Sequence, residues 1–103
     1  MSARTSRQIE LRKLFNELCP HAPLDDAQPI LEAAGTKSKK ALPPSISLWL
    51  AIVAHIRHRH TDYDKLLSEG YDRDSARHFT REEINIILRK WGCARKLNEN
   101  EEI

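Results

Sequence analysis

The densest run of chemically versatile side chains is His55–Asp64, H-I-R-H-R-H-T-D-Y-D. Arginine and protonated imidazole neutralise phosphates and a tyrosine ring stacks on a base, so one chemistry open to this run is nucleic-acid binding, with Tyr63 as the stacking ring. Geometry weighs against the run acting alone. At about 100° per residue, Arg57, His58, Arg59 and His60 point in four directions, whereas a groove-reading helix gathers its donors on one side. Arg57 and His58 can instead join Lys37, Lys39 and Lys40 in a composite patch. A second chemistry is metal binding: His55, His58 and Asp62 fall at i, i+3 and i+7, close to one helix face, and all three are ligand types for zinc or a similar ion. Three ligands on one helix rarely suffice, no HExxH or CxxC accompanies them, and His21 or His78 would have to complete the set.

The third reading is structural and carries the most weight. His60 projects into the stripe of Trp49, Ile56, Tyr63 and Leu67, where a histidine is more often a hydrogen-bonded core residue than a ligand or an acid–base catalyst. Arg59 borders that stripe, and Arg77 falls between Ile84 and Leu88 in helical projection. A guanidinium in an apolar sector needs a carboxylate, because a buried unpaired charge is strongly destabilising. The sequence therefore predicts a polar network of Arg59, His60 and Arg77 with Asp62, Asp64, Asp72 and Asp74, pinning the turn around Gly70. Catalysis is the minority reading. No nucleophile with its base, no flanking carboxylate pair and no G-x-S-x-G is legible, and Gly35, Gly70 and Gly92 all read as helix terminators. His60 with Asp64 at i+4 makes an orienter and base, but no partner nucleophile can be named.

These side chains must be positioned by helices, because apolar residues recur at helical spacing throughout and no strand pattern competes. Leu11, Leu14, Phe15 and Leu18 predict a first helix over about 7–18, with Ser6 as its cap and Pro20 as its stop. Asp25 or Asp26 caps a second helix carrying Ala27, Ile30, Leu31 and Ala34, with Pro29 tolerated in its first turn and Gly35 closing it at C′. Thr36–Lys40 reads as a polar linker. Pro43 and Pro44 pre-set a third helix, for which Trp49, Ile52, Val53, Ile56, Tyr63 and Leu67 support a single run from about Ser45 to Ser68. Thr61 with Asp64 fits a capping box that would break it. Asp72 or Asp74 caps a last helix whose inward residues are Ala76, Phe79, Ile84, Ile87, Leu88 and Trp91, ended by Gly92. The expectation is an all-α single domain of four or five helices over residues 1–95, its long central helix packed on the C-terminal one, with 96–103 as a polar, fraying tail.

Composition limits the function classes. The chain has 103 residues, 40% hydrophobic and 31% charged, with 17 basic against 15 acidic residues, too near balance for the strong field of a dedicated nucleic-acid protein. The imbalance is local: residues 1–60 hold nine Lys or Arg and five Asp or Glu, whereas 61–103 hold eight and ten. The phosphate-facing half would thus be the first, through Arg4, Arg7, Arg12, Lys13, Lys37, Lys39 and Lys40 with Arg57 and His58. Cys19 and Cys93 stand far apart and form no CxxC, so free thiols are expected. The apolar stretch Ile46–Ala54 is much shorter than the roughly 20 residues of a membrane span, and no secretory pattern opens the chain, so the expected address is the cytoplasm. No cofactor and no small-molecule substrate is indicated.

The strings R-H-x-H-T-x-Y-D-x-L-L, from Arg57 to Leu67, and D-R-x-x-A-R, from Asp72 to Arg77, lie within a stretch from about 42 to 93 that resembles a mostly bacterial family of uncharacterised proteins, a domain of unknown function. The resemblance implies a small intracellular domain and brings no activity, cofactor or catalytic residue with it. Arg57, His58, His60, Thr61, Asp62, Tyr63, Asp64, Arg73 and Arg77 fall on its pattern. The expected function is a non-catalytic binding module for nucleic acid or a protein partner. The alternative is a metal-binding or hydrolytic enzyme domain using the His55–Asp64 segment.

Overall fold

The computed structural model describes residues 5–36 and 41–101. Five helices form the fold, and no strand is present among the described residues. They are α1 (Ser6–Leu18), α2 (Leu24–Ala34), α3 (Pro44–His60), α4 (Tyr63–Ser68) and α5 (Arg73–Lys90). Helix α3 is the axis of the domain and touches all four others. Its burial explains why: Leu48, Trp49, Ala51, Ile52, Val53 and Ile56 are all removed from water. Leu11 and Phe15 of α1, Ile30 and Ala34 of α2, and Ile84 and Leu88 of α5 close around it into one core. No helix among the described residues is long and apolar enough to cross a membrane.

The helix ends follow local chemistry, with several departures from expectation. The cap of α1 is Thr5 rather than Ser6: Gln8 N–H donates to Thr5 Oγ1 and Thr5 N–H donates to Gln8 Oε1, a reciprocal capping box. Helix α2 starts at Leu24, after Pro23, so Asp25 and Asp26 sit inside its first turn and Pro29 lies in its interior. Carboxylates in a first turn suit the helix dipole. Pro29 forfeits one backbone hydrogen bond, and the burial of Ala27, Ile30 and Ala34 holds the helix together across it. Gly35 ends α2 with an ordinary φ of −88°, not in the left-handed conformation.

The single run expected over Ser45–Ser68 is two helices. Thr61 is extended, at φ −130° and ψ 169°, and its hydroxyl donates to Arg57 C=O while accepting from Tyr63 N–H. A β-branched hydroxyl that satisfies backbone groups on both sides competes with continuation of the helix. The break lets Tyr63 bury and α4 pack on α5. Asp72 caps α5, accepting from Ser75 N–H at 2.7 Å. Phe79, expected inside, is 55% exposed; Thr80 takes the inward position and satisfies its hydroxyl on Ala76 C=O.

Residues 96–101 lie against the domain. Leu97 is buried, and Asn85 clamps its backbone by donating to Leu97 C=O and accepting from Leu97 N–H. Glu101 accepts from Trp49 Nε1 at 2.9 Å, and the Arg95 guanidinium stacks 4.0 Å over the Trp49 ring. Cys19 and Cys93 are free, buried and neighbours; burial, then Cys93, pushes the Cys19 thiol up to about 12.

Candidate functional site: an arginine cleft and a histidine–aspartate knot

The last turns of α3 divide their polar side chains between two places. On one side, Arg57 lines a cleft of about 310 Å³ between the end of α3, α5 and the C-terminal segment. Arg77, His78 and Arg81 enter it from α5, and Asp74, Asn98, Glu99 and Glu101 rim it. Arg57 is only 6% exposed and lies over the Tyr63 ring at 5.4 Å. Burial, and then the charge of Arg77, hold its pKa below the ordinary arginine value, with Tyr63 acting in the opposite sense. Arg77 is half-buried, its Nε is inaccessible without a hydrogen-bond partner, and its side chain makes no ion pair among the described residues. Arg81 reaches Glu99 at 3.4 Å. Next to the cleft, His78 stacks edge-on to Phe79 at 5.8 Å, and Phe79 to the exposed Tyr71 at 5.7 Å.

On the other side, His55 and His60 converge on Asp26 of α2. Their Nε2 atoms lie 2.7 Å and 2.6 Å from the same carboxylate oxygen, Oδ1. The side chains of His55, Asp26 and His60 are 10%, 15% and 32% exposed. Trp91 walls the knot, its ring 6.5 Å from His55 and 5.9 Å from His60. Burial on its own would raise the Asp26 pKa; the hydrogen bonds and charges of the two imidazoles outweigh it and hold the carboxyl below its ordinary value.

The residues singled out in the sequence are thus distributed differently from expectation. His55, His58 and Asp62 do not converge: His55 goes to Asp26, His58 pairs with Asp64 at 2.8 Å, and Asp62 stands exposed before α4. His21 donates its backbone N–H to Trp91 C=O and lays its ring on Gly92, and His78 belongs to the cleft. Arg59 is exposed, and of the four aspartates only Asp74 reaches the cleft that holds Arg77. Of the nine residues of the basic patch, five lie among the described residues. Arg7 Nη2 donates to Leu42 C=O and Ser47 Oγ, Arg12 lines a groove with Gln8 and Glu32, Lys13 is exposed, and Arg4, Lys37, Lys39 and Lys40 lie outside the described residues. Tyr63 is buried, so it is not a stacking surface.

Among the participants that the sequence motifs do not single out are Asp26 and Arg81. Asp26 lies 29 residues before His55 and 34 before His60, a separation no local pattern bridges. Arg81 did carry a signal, standing at i+4 from Arg77 and therefore on the same face of α5.

No curated protein and no solved structure matches the chain. A family described as uncharacterized conserved protein (DUF2293) matches residues 14–92, a span running from α1 through α5 and including Asp26, both histidines of the knot and all three arginines of the cleft. By that match, over three quarters of its length, the chain belongs to the DUF2293 family.

Proposed function

We propose that this domain is a non-catalytic binding module that takes a single-stranded nucleic acid, holding phosphates at Arg77 and Arg81 and stacking a base on Phe79 and Tyr71. The observation that carries the reading is the continuity of the two surfaces. His78 lines the arginine cleft and also packs against Phe79, so a row of exposed rings runs directly into a group of guanidiniums. Stacking platforms beside cationic grooves are how single strands are held without sequence readout. Arg77 supplies a further reason. Its side chain makes no ion pair among the described residues, so a phosphate at its terminal nitrogens would supply the counter-charge.

Fluorescence anisotropy with labelled single-stranded and duplex DNA and RNA, at about 50 mM and about 200 mM salt, tests this. Two phosphate contacts give a salt slope of about −1.4 on single strands. Phe79→Ala removes one stacking surface and should weaken binding by about 1–3 kcal/mol. Preference for duplex, indifference to salt, or full affinity in Phe79→Ala would refute the reading. Salt-sensitive capture of an acidic peptide without capture of nucleic acid would assign the cleft to a protein partner instead.

A further inference from the structure

We infer that Asp26, His55 and His60 form a metal site, a two-histidine, one-carboxylate set for a borderline divalent cation of the zinc type. Their three ligand atoms all lie within 4.8 Å of one another. They come from two helices, which removes the objection to a set drawn from one helix alone. The helix-to-helix contact of α2 with α3 brings Asp26 under His55, and the end of α3 at His60 frees that imidazole to turn towards the same carboxylate.

The contact distances suit the exchange of protons for an ion. Both imidazole Nε2 atoms point at a single oxygen, Asp26 Oδ1, at 2.6 and 2.7 Å. A tetrahedral cation with bonds of about 2.0–2.1 Å holds its donors about 3.3 Å apart, so each imidazole would draw back from Asp26 Oδ1 by about 0.7 Å to admit it. Two nitrogens and one oxygen favour zinc and its neighbours over magnesium and calcium, which take oxygen ligands. Three protein ligands leave a coordination position for water or an exogenous donor, and partly exposed His60 marks the way in. The Trp91 ring lies beside both imidazoles, 6.5 Å from His55 and 5.9 Å from His60.

The test is calorimetric titration of the full chain with zinc chloride, alongside His60→Ala and His58→Ala, with circular dichroism to confirm that each variant is folded. One zinc per chain is expected. His60→Ala should weaken binding by at least about tenfold, and His58→Ala, on the far side of the helix end and paired with Asp64, should leave it unchanged. In long-range nitrogen–proton spectra the ring signals of His55 and His60 should move on addition of zinc while those of His21, His58 and His78 stay in place. Absence of binding, equal affinity in His60→Ala, or an equal loss in His58→Ala would overturn the site.

Discussion

The two faces of the α3 C-terminus handle charge in opposite ways. Residues 55–60 send His55 and His60 towards α2 and Arg57 towards α5. The histidines meet an acid, and every group in that knot has a partner of complementary character. Arg57 lies over the Tyr63 ring and beside Arg77, and of the carboxylates on the rim of the cleft Glu101 accepts from Trp49 and pairs with Arg95 while Glu99 pairs with Arg81. Where charges are mutually satisfied, the knot stabilises the docking of two helices. On the other side the Arg57 guanidinium is buried against the Tyr63 ring and beside Arg77. In the proposed reading, stability and binding sit on opposite sides of one short segment.

The largest effect should come from the knot. Asp26→Ala leaves two imidazoles facing one another without their shared acceptor, and the loss is expected to be about 2–3 kcal/mol, read as a lowered urea midpoint at unchanged slope. A loss below about 0.5 kcal/mol would mean that the knot does not join α2 to α3.

Two glycines sharpen the same contrast. Gly92 has φ +77° and follows the Trp91 wall of the knot, where an added Cβ would meet the His21 ring at 2.6 Å; Gly70 has φ +100° and nothing within 4 Å of such an atom. Alanine at either position pays the left-handed backbone penalty of about 1–2 kcal/mol. Gly92→Ala must displace the ring as well, so its melting temperature should fall further than that of Gly70→Ala. Equal losses would show that the tight packing at Gly92 relaxes freely.

A smaller effect belongs to the α5 cap. The backbone and side-chain hydrogen bonds to Ser75 hold the Asp72 carboxyl below its ordinary value. A depressed folded-state pKa contributes stability above the unfolded value, near about 3.9, that is lost as pH falls through the folded one. The melting-temperature difference between the native chain and Asp72→Ala should therefore be constant near neutrality and vanish in acid. A difference that persists below both values would point to a contribution independent of the carboxylate charge.

Much of the helical framework was legible because burial follows the 3.6-residue period: Leu11 and Phe15, Ile30 and Ala34, Ile84 and Leu88 all face the core. The same periodicity misled at Thr61. Tyr63 and Leu67 keep in phase with α3, and that continuity outweighs the capping-box spacing of Thr61 and Asp64, although the Thr61 hydroxyl, bonded to Arg57 and Tyr63, does end the helix. Phe79 was misplaced because hydropathy ranks phenylalanine above threonine, whereas Thr80 buries without penalty by returning its hydroxyl to Ala76. Of the candidate site, helical projection flagged Arg77 because its neighbours lie on the same helix. The knot was out of reach because it depends on how α2 docks, a tertiary event with no imprint on local spacing.

The central claim, that Arg77 is held in a position its own fold does not satisfy, is tested most directly by Arg77→Met, measured for both urea stability and single-strand affinity. Removing a half-buried charge that faces another arginine should leave the domain more stable by about 1 kcal/mol while weakening nucleic-acid binding and flattening its salt dependence. A variant that loses stability, or that binds as tightly as the native chain, would contradict the account.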